Sequence, residues 1–223
     1  MRYYPAFLDI QGRACLVVGG GCVASRKVDT LLECGAVVTV VSPEISPSLQ
    51  DLANARRITL KTRAYKADDL EGQFLVIGAT NNEVLNHQIS THAEARNLLC
   101  NIADRPSVCN FILPSIIQRG DLVLAISTSG KSPAFAKKLR QDLESQFGEP
   151  YAVLLDLMGA IRARLLKQAH APEEHKPLFN KIIYSNIILL IQNQQYDQID
   201  QLLFNVLGPG YTYRELLKNE RQP

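Results

Sequence analysis

The chain has 223 residues, 46% of them apolar and 21% charged, the mix of an ordinary globular protein and not of a disordered one. Lys and Arg number 24 against 22 Asp and Glu, so the formal net charge of +2 gives no reason to expect a nucleic acid or a membrane surface as partner. No run approaches the ~18 uninterrupted apolar residues of a membrane-spanning helix, and the opening Met1-Arg2-Tyr3-Tyr4-Pro5 lacks the apolar stretch of an export signal.

Ala14 to Val18 is a short apolar run between Arg13 and Gly19-Gly20-Gly21, the pattern of a strand buried on both faces. Ala24, Val28, Leu31 and Leu32 follow at helical spacing, with Gly35 as the stop. Val37 to Val41 is a β-branched run ended by Ser42-Pro43, and Ile58 and Leu60 mark a weaker strand. Phe74 to Ala79 predicts another buried strand, Glu83 to Ala95 a helix, and Leu98 to Ile102 a fifth strand. Strands alternating with helices imply a parallel sheet with right-handed crossovers. Beyond Asp104, Phe111 to Ile117 and Leu122 to Ile126 are strand-like but too close together for a crossover helix, which suggests an antiparallel or swapped extension of the sheet. Ser132-Pro133 opens a helix expected to reach Phe147 and stop at Gly148. The remainder reads as helices at Ala152 to Gln168, Lys176 to Gln192 and Gln195 to Leu207.

Cys15, Cys22, Cys34, Cys100 and Cys109 form no CxxC pair, and an odd number cannot all pair within one chain. They read as free thiols of a reducing, cytoplasmic protein, small buried apolar residues apart from Cys22, which lies in the glycine motif. His87, His92, His170 and His175 lack metal-ligand spacing and read as surface histidines; no metal site is expected.

Gly19, Gly21 and Ala24 fit GxGxxA between a strand and a helix. In that pattern the first glycine allows the tight turn and the second lets a pyrophosphate approach the backbone. The alanine lets the helix pack close to the sheet, and the helix N-terminus offers unpaired N–H groups to the anion. Glu44, just past the second strand, is the candidate ribose acid, the alternative being a solvated loop acid. No Arg or Lys follows before Arg56, which favours NAD over NADP. Ligands of open parallel sheets bind beyond the carboxyl ends of the strands, so Thr80-Asn81 and Asp104 should share an edge with the glycine loop. The candidate cofactor contacts are Gly19, Gly21, Cys22, Val23, Ala24, Pro43, Glu44, Thr80 and Asn81. Asp104, the one acid between Glu94 and Asp121, is either a catalytic carboxylate or a cap for the turn before Pro106. The basic residues Lys131, Lys137, Lys138 and Arg140, and the cluster Arg162, Arg164 and Lys167, are either solvated faces or a means of recognising a polyanionic small molecule.

Several segments then match one family in order: Val17-Val18-Gly19-Gly20-Gly21 with Val23-Ala24 and Arg26-Lys27, Gly78-Ala79-Thr80-Asn81, Cys100-Asn101-Ile102-Ala103-Asp104, Phe111-Ile112-Leu113-Pro114-Ser115, and Ser127-Thr128-Ser129-Gly130-Lys131-Ser132-Pro133. They resemble precorrin-2 dehydrogenase, which is also the N-terminal module of siroheme synthases. The likeness covers about residues 1 to 170, and the methyltransferase part of the fused enzymes is expected to be absent. The resemblance implies NAD-dependent oxidation of precorrin-2 to sirohydrochlorin, with Fe²⁺ insertion in some members, and Asp104 as general base for both. It implies a tetrapyrrole substrate held by Asn101, Thr128, Lys131 and Arg164, with Asn101 orienting its loop. The family often has serine at Thr128. It also implies a homodimer with exchanged strands.

The expected architecture is therefore α/β: a Rossmann-like NAD-binding domain over residues 1–110, a strand-exchanged dimerisation segment over 111–149 and a small all-helical C-terminal domain over 150–223. Two rivals are a regulator that binds NAD(H) without chemistry, and a chelatase whose glycine loop is only structural.

Overall fold

The computed structural model describes residues 2–167 and 172–218. The chain divides into two compact units, Met1–Leu113 with Ser129–Lys131, and Pro114–Thr128 with Ser132–Pro223.

The first unit is built on β1 (Ala14–Val18), β2 (Val37–Val41), β3 (Thr59–Lys61), β4 (Leu75–Gly78) and β5 (Leu99–Ile102), in the order β3-β2-β1-β4-β5. Every pairing is parallel. The central strands β1 and β4 are apolar at nearly every position because both of their faces are covered. On one face Cys15, Val17, Leu75 and Ile77 pack with Ala24, Val28 and Leu31 of α1 (Cys22–Glu33). On the other, Leu16, Val18, Val76, Cys100 and Ile102 pack with Ile89 and Ala93 of α3 (Glu83–Glu94). On the same face as α1, α2 (Pro47–Asn54) starts on Ser46-Pro47 and buries Leu49. The sequence pattern predicts no helix here; the Ser46-Pro47 start is the signal that could have marked α2. The chain reverses direction of strand addition between β1 and β4, which makes that gap the topological switch point of the sheet.

The second unit holds an antiparallel hairpin, β6 (Ser115–Arg119) with β7 (Leu122–Ile126), turning at Gly120, whose φ is +55°. This pair is a sheet of its own and does not extend the parallel one. The expected strand over Phe111 to Ile117 begins only at Ser115, since Pro114 has no N–H to give to a ladder. Helices α4 (Pro133–Gln146), α5 (Pro150–Lys167), α6 (Pro172–Ile183), α7 (Ile187–Gln192), α8 (Tyr196–Leu207) and α9 (Tyr213–Lys218) follow. Leu154, Leu157, Ile161 and Leu165 give α5 an apolar stripe at i, i+3, i+7 and i+11, buried against Ile182, Ile187, Leu190, Ile199 and Leu203.

The single helix expected over Lys176 to Gln192 is two. Ser185 Oγ donates to Ile182 O at 2.6 Å and accepts from Ile187 N at 3.2 Å, taking over the backbone partners at the break. Helix α9, which the sequence pattern did not announce, is docked by Asp200, whose carboxylate accepts the Tyr213 N–H at 2.6 Å. Cys34 is exposed, contrary to expectation, because it caps the solvent-facing end of α1 beside Gly35. His175 is buried within the helical unit and is not a surface histidine. The expected helix end at Gln168 and the reading of His170 fall outside the described residues.

Candidate active site

Three backbone hydrogen bonds continue the sheet by one rung past its strands. Gly19 N donates to Val41 O at 3.0 Å, Ala79 N to Val18 O at 2.8 Å and Ala103 N to Gly78 O at 2.8 Å. Gly19, Ala79 and Ala103 therefore stand in line along one edge, and the residues after them form the candidate site. With strands ~4.8 Å apart, two spacings separate β1 from β5, so the glycine loop and the Asp104 turn are about 10 Å apart on that edge.

The three glycines differ in what surrounds them. Gly19 has φ +126°, and a Cβ there would lie 2.3 Å from Ala79 O. A Cβ on Gly20 would lie 1.9 Å from Glu44 O, and the Gly20 carbonyl accepts from Ser46 N at 2.8 Å. Nothing lies within 4 Å of a Cβ on Gly21. Gly21 is the N-cap of α1, in extended conformation and with no side chain to cap the helix, and the first turn carries no acid. Open space thus lies beside Gly21, at the positive end of the α1 dipole, where the first N–H groups of the helix offer a pyrophosphate its donors. A dinucleotide fits the residues present. The sequence pattern assigned no task to Gly20; only the approach of Glu44's backbone explains it.

Pro43 and Glu44 lie beside this loop, both exposed. Ser42 is buried, and its hydroxyl donates to Glu44 O at 2.7 Å, which holds the loop against Gly20. On the far side of the switch point, Thr80 Oγ1 donates to Asn86 Oδ1 at 2.8 Å while Asn86 Nδ2 donates to Thr80 O at 2.9 Å. Asn86 is buried on α3, a polar residue at a position that helical periodicity assigns to the core, and that mismatch is the signal that could have revealed it. Asn81 is exposed, and Asn82 caps α3 by accepting from Leu85 N at 3.0 Å.

Asp104 is exposed, has φ +59°, and makes no hydrogen bond or salt bridge to a described residue. Its side chain thus caps no turn among the described residues, unlike the turn-capping alternative. Asn101, three residues earlier on β5, is buried and donates to Phe111 O at 3.1 Å. Arg105 pairs with Glu83 in the first turn of α3. Burial lowers the Lys27 ammonium below its usual range and Arg26 adds to that, while the Asp104 carboxylate opposes it. Lys27 on α1 is thus within electrostatic reach of Asp104.

The basic residues fare differently. Gly130, at φ +80°, would bring a Cβ within 3.6 Å of Pro106, so Lys131 adjoins the loop that carries Asp104. Lys138 pairs with Asp142, and Arg140 with Glu144 at 2.5 Å, both one helical turn ahead on α4. Thr128 and Arg164 belong to the second unit. The Thr128 hydroxyl donates to Ser132 O at 3.0 Å and accepts from Ser132 N at 3.2 Å, bracing the start of α4. Arg164 is stacked on Tyr211, 5.1 Å from its ring centre. Among the described residues no group of three or more His, Cys, Asp or Glu is arranged to hold a metal ion, and no helix is long and apolar enough to cross a membrane.

Comparison with known proteins gives the family. A family model of NAD(P)-binding domains matches residues 6–115, and one for the central part of sirohaem biosynthesis proteins matches 119–146. The siroheme synthase of Vesicomyosocius okutanii is 38% identical over 188 residues, 84% of this chain and 40% of that protein. That of Nitrosococcus oceani is 35% identical over 211 residues, 95% of this chain and 45% of that protein. The chain thus spans less than half the length of the curated relatives it matches. The solved structure of SirC, a precorrin-2 dehydrogenase, superposes with a TM-score of 0.75 at 30% identity, covering 89% of this chain and all of SirC. With its parallel five-stranded sheet, its helical second unit and a relative matched over that relative's entire length, the chain belongs to the family of precorrin-2 dehydrogenases and the siroheme-synthase modules like them.

Proposed function

We propose that this protein oxidises precorrin-2 to sirohydrochlorin with NAD⁺, using Asp104 as general base. The observation that carries this reading is the shared edge: an exposed carboxylate, with no hydrogen bond or salt bridge among the described residues, and a glycine-loop helix without a side-chain cap stand on the same side of one sheet. The bound dinucleotide supplies a hydride acceptor. Gly19, Gly21 and the first N–H groups of α1 hold its pyrophosphate, with Cys22, Val23 and Ala24 in that first turn. Pro43 and Glu44 meet the adenosine ribose, and Thr80 and Asn81 line the switch point. Oxidation also removes a proton from the substrate, and Asp104 accepts it. Lys131, beside the Asp104 loop, is read as a partner for substrate carboxylates; Asn101 holds the loop, and Thr128 and Arg164 complete the proposed set.

Insertion of Fe²⁺ into the product, with the metal as substrate, is the second step we propose. Two pyrrole protons must leave, and the same base can take them. The cytoplasm is the compartment this reading implies, supported by five free thiols. A homodimer through β6–β7 is supported by the open outer edges of that two-stranded sheet and by exposed Ile116.

An anaerobic assay of precorrin-2 with NAD⁺ tests the oxidation. Asp104→Asn is expected to lower kcat by about 10²- to 10⁴-fold, the usual worth of a general base, with NAD⁺ affinity within about twofold of the parent. A parent-like rate refutes the assignment. Fe²⁺ added to the finished reaction should shift the absorption spectrum to that of the metallated product, faster than in a protein-free control.

A further inference from the structure

Asp104 lies in the left-handed region, φ +59°, which residues other than glycine seldom occupy and aspartate tolerates better than most. Several contacts hold the turn in this shape. Ala103 is tied to the sheet through Gly78 O at 2.8 Å, and Arg105 N returns to Ile102 O at 3.2 Å. The remaining tie is the buried Cys109. Its Sγ accepts from Ile102 N at 3.1 Å and lies 3.1 Å from Arg105 O and 3.4 Å from Ile102 O, either of which can receive the S–H. One thiol therefore grips the residues on both sides of Asp104. Cys109 is itself fixed: Ser90 Oγ donates to Val108 O at 2.7 Å, Asn110 N donates to Cys100 O at 3.1 Å, and Asn110 Oδ1 accepts from Cys100 N at 2.7 Å.

We propose that Cys109 is a positioning residue for the reaction, whose thiol clamps the Ile102–Arg105 turn and thereby aims the Asp104 carboxylate at the substrate. The proposal rests on the general-base reading of Asp104. The chemistry of the site fits a donor and not a nucleophile, since two carbonyl oxygens face the buried thiol and burial pushes it up from its ordinary value. Alanine at 109 would leave the Ile102 N–H without its partner and free the turn to relax. A displacement of about 1 Å at a reacting group is enough to cost up to a hundredfold in rate.

The test compares Cys109→Ala, Cys109→Ser, Asp104→Asn and the double variant Cys109→Ala/Asp104→Asn. Turnover is normalised to sites counted by NAD⁺ binding, so that any loss of folded protein drops out. Cys109→Ala is expected to lower kcat about tenfold with KM and NAD⁺ affinity changed less than about twofold. Cys109→Ser, which keeps a donor and an acceptor, should regain most of the rate. In the Asp104→Asn background Cys109→Ala should change nothing further, because the two residues act as one unit. A parent-like kcat for Cys109→Ala beside a disabled Asp104→Asn overturns the Cys109 assignment alone, as does an equal loss in both backgrounds or a serine variant no better than alanine. A parent-like Asp104→Asn overturns the general-base reading, and this inference with it.

Discussion

At the scale of single residues, adjacent glycines serve unrelated ends. Gly20 is required by the fold, because a side chain there collides with the Glu44 backbone, while Gly21 stands in open space with an ordinary backbone conformation. Gly20→Ala is expected to destabilise the first unit by about 1–3 kcal/mol, the usual cost of overpacking. Gly21→Ala should leave the unfolding midpoint near that of the parent while weakening NAD⁺ binding about tenfold or more, ~1.4 kcal/mol. Thermal unfolding and NAD⁺ titration of the two variants measure both. Equal NAD⁺ affinity in Gly21→Ala and parent would show that the open space is not where the pyrophosphate lies. The pattern GxGxxA was legible in the sequence; the middle glycine's task was not, because it depends on a loop more than 20 residues away in the chain.

At the scale of elements, β3 is the weakest strand, three residues long, and an ion-pair cluster secures its exit. Asp69, buried in the 3-10 turn Ala67–Leu70, accepts from Arg63 at 2.5 and 2.8 Å, from Lys61 at 3.2 Å and from Lys66 N at 3.0 Å. Arg63 above all, then the Lys66 N–H and Lys61, hold the Asp69 carboxyl well below the usual carboxylate range, against the opposing effect of burial. A depressed carboxyl stabilises the fold at pH values above its unfolded pKa of about 4 and loses that contribution as pH falls through the folded value. Asp69→Asn should therefore cost about 2–3 kcal/mol at pH 7, and the gap between variant and parent in urea denaturation should narrow below about pH 4. A gap independent of pH would mean that the carboxylate's charge contributes nothing. Spacing predicted the main elements well because burial on two faces enforces continuous apolar runs, as in β1 and β4. It did not predict the split between α6 and α7, where a serine competes for backbone partners inside an apolar stretch.

At the scale of the whole molecule, the chain separates two kinds of core. One is the pair of layers around the parallel sheet, and the other is the helical cluster around Leu157 and Ile161. The hairpin β6–β7 belongs with the helical unit, where it packs on α4 and α5 and leaves its outer edges unpaired. If it is the dimerisation element, sedimentation at micromolar concentration should give twice the 24.8 kDa chain mass. Ile116→Glu, placing a charge at an exposed apolar position on that hairpin, should then shift the protein toward monomer. A monomeric parent would refute the dimer.

The sequence by itself determined the five parallel strands along the chain, the helices α1, α3 and α4, the glycine-rich turn after β1 and the edge of the sheet on which Asp104 falls. Those follow from local physics: apolar periodicity, β-branched runs, caps, and the rule that parallel strands share one carboxyl end. Only the tertiary structure decided which polar groups are spent within the fold and which stand free. Lys138 and Arg140 are committed to ion pairs and the Thr128 hydroxyl to the turn before α4, whereas the Asp104 carboxylate makes no hydrogen bond or salt bridge among the described residues. The reason is that a hydrogen bond or ion pair is settled by positions in space, and the thiol of Cys109 grips the Asp104 turn through a geometry that no spacing along the chain expresses.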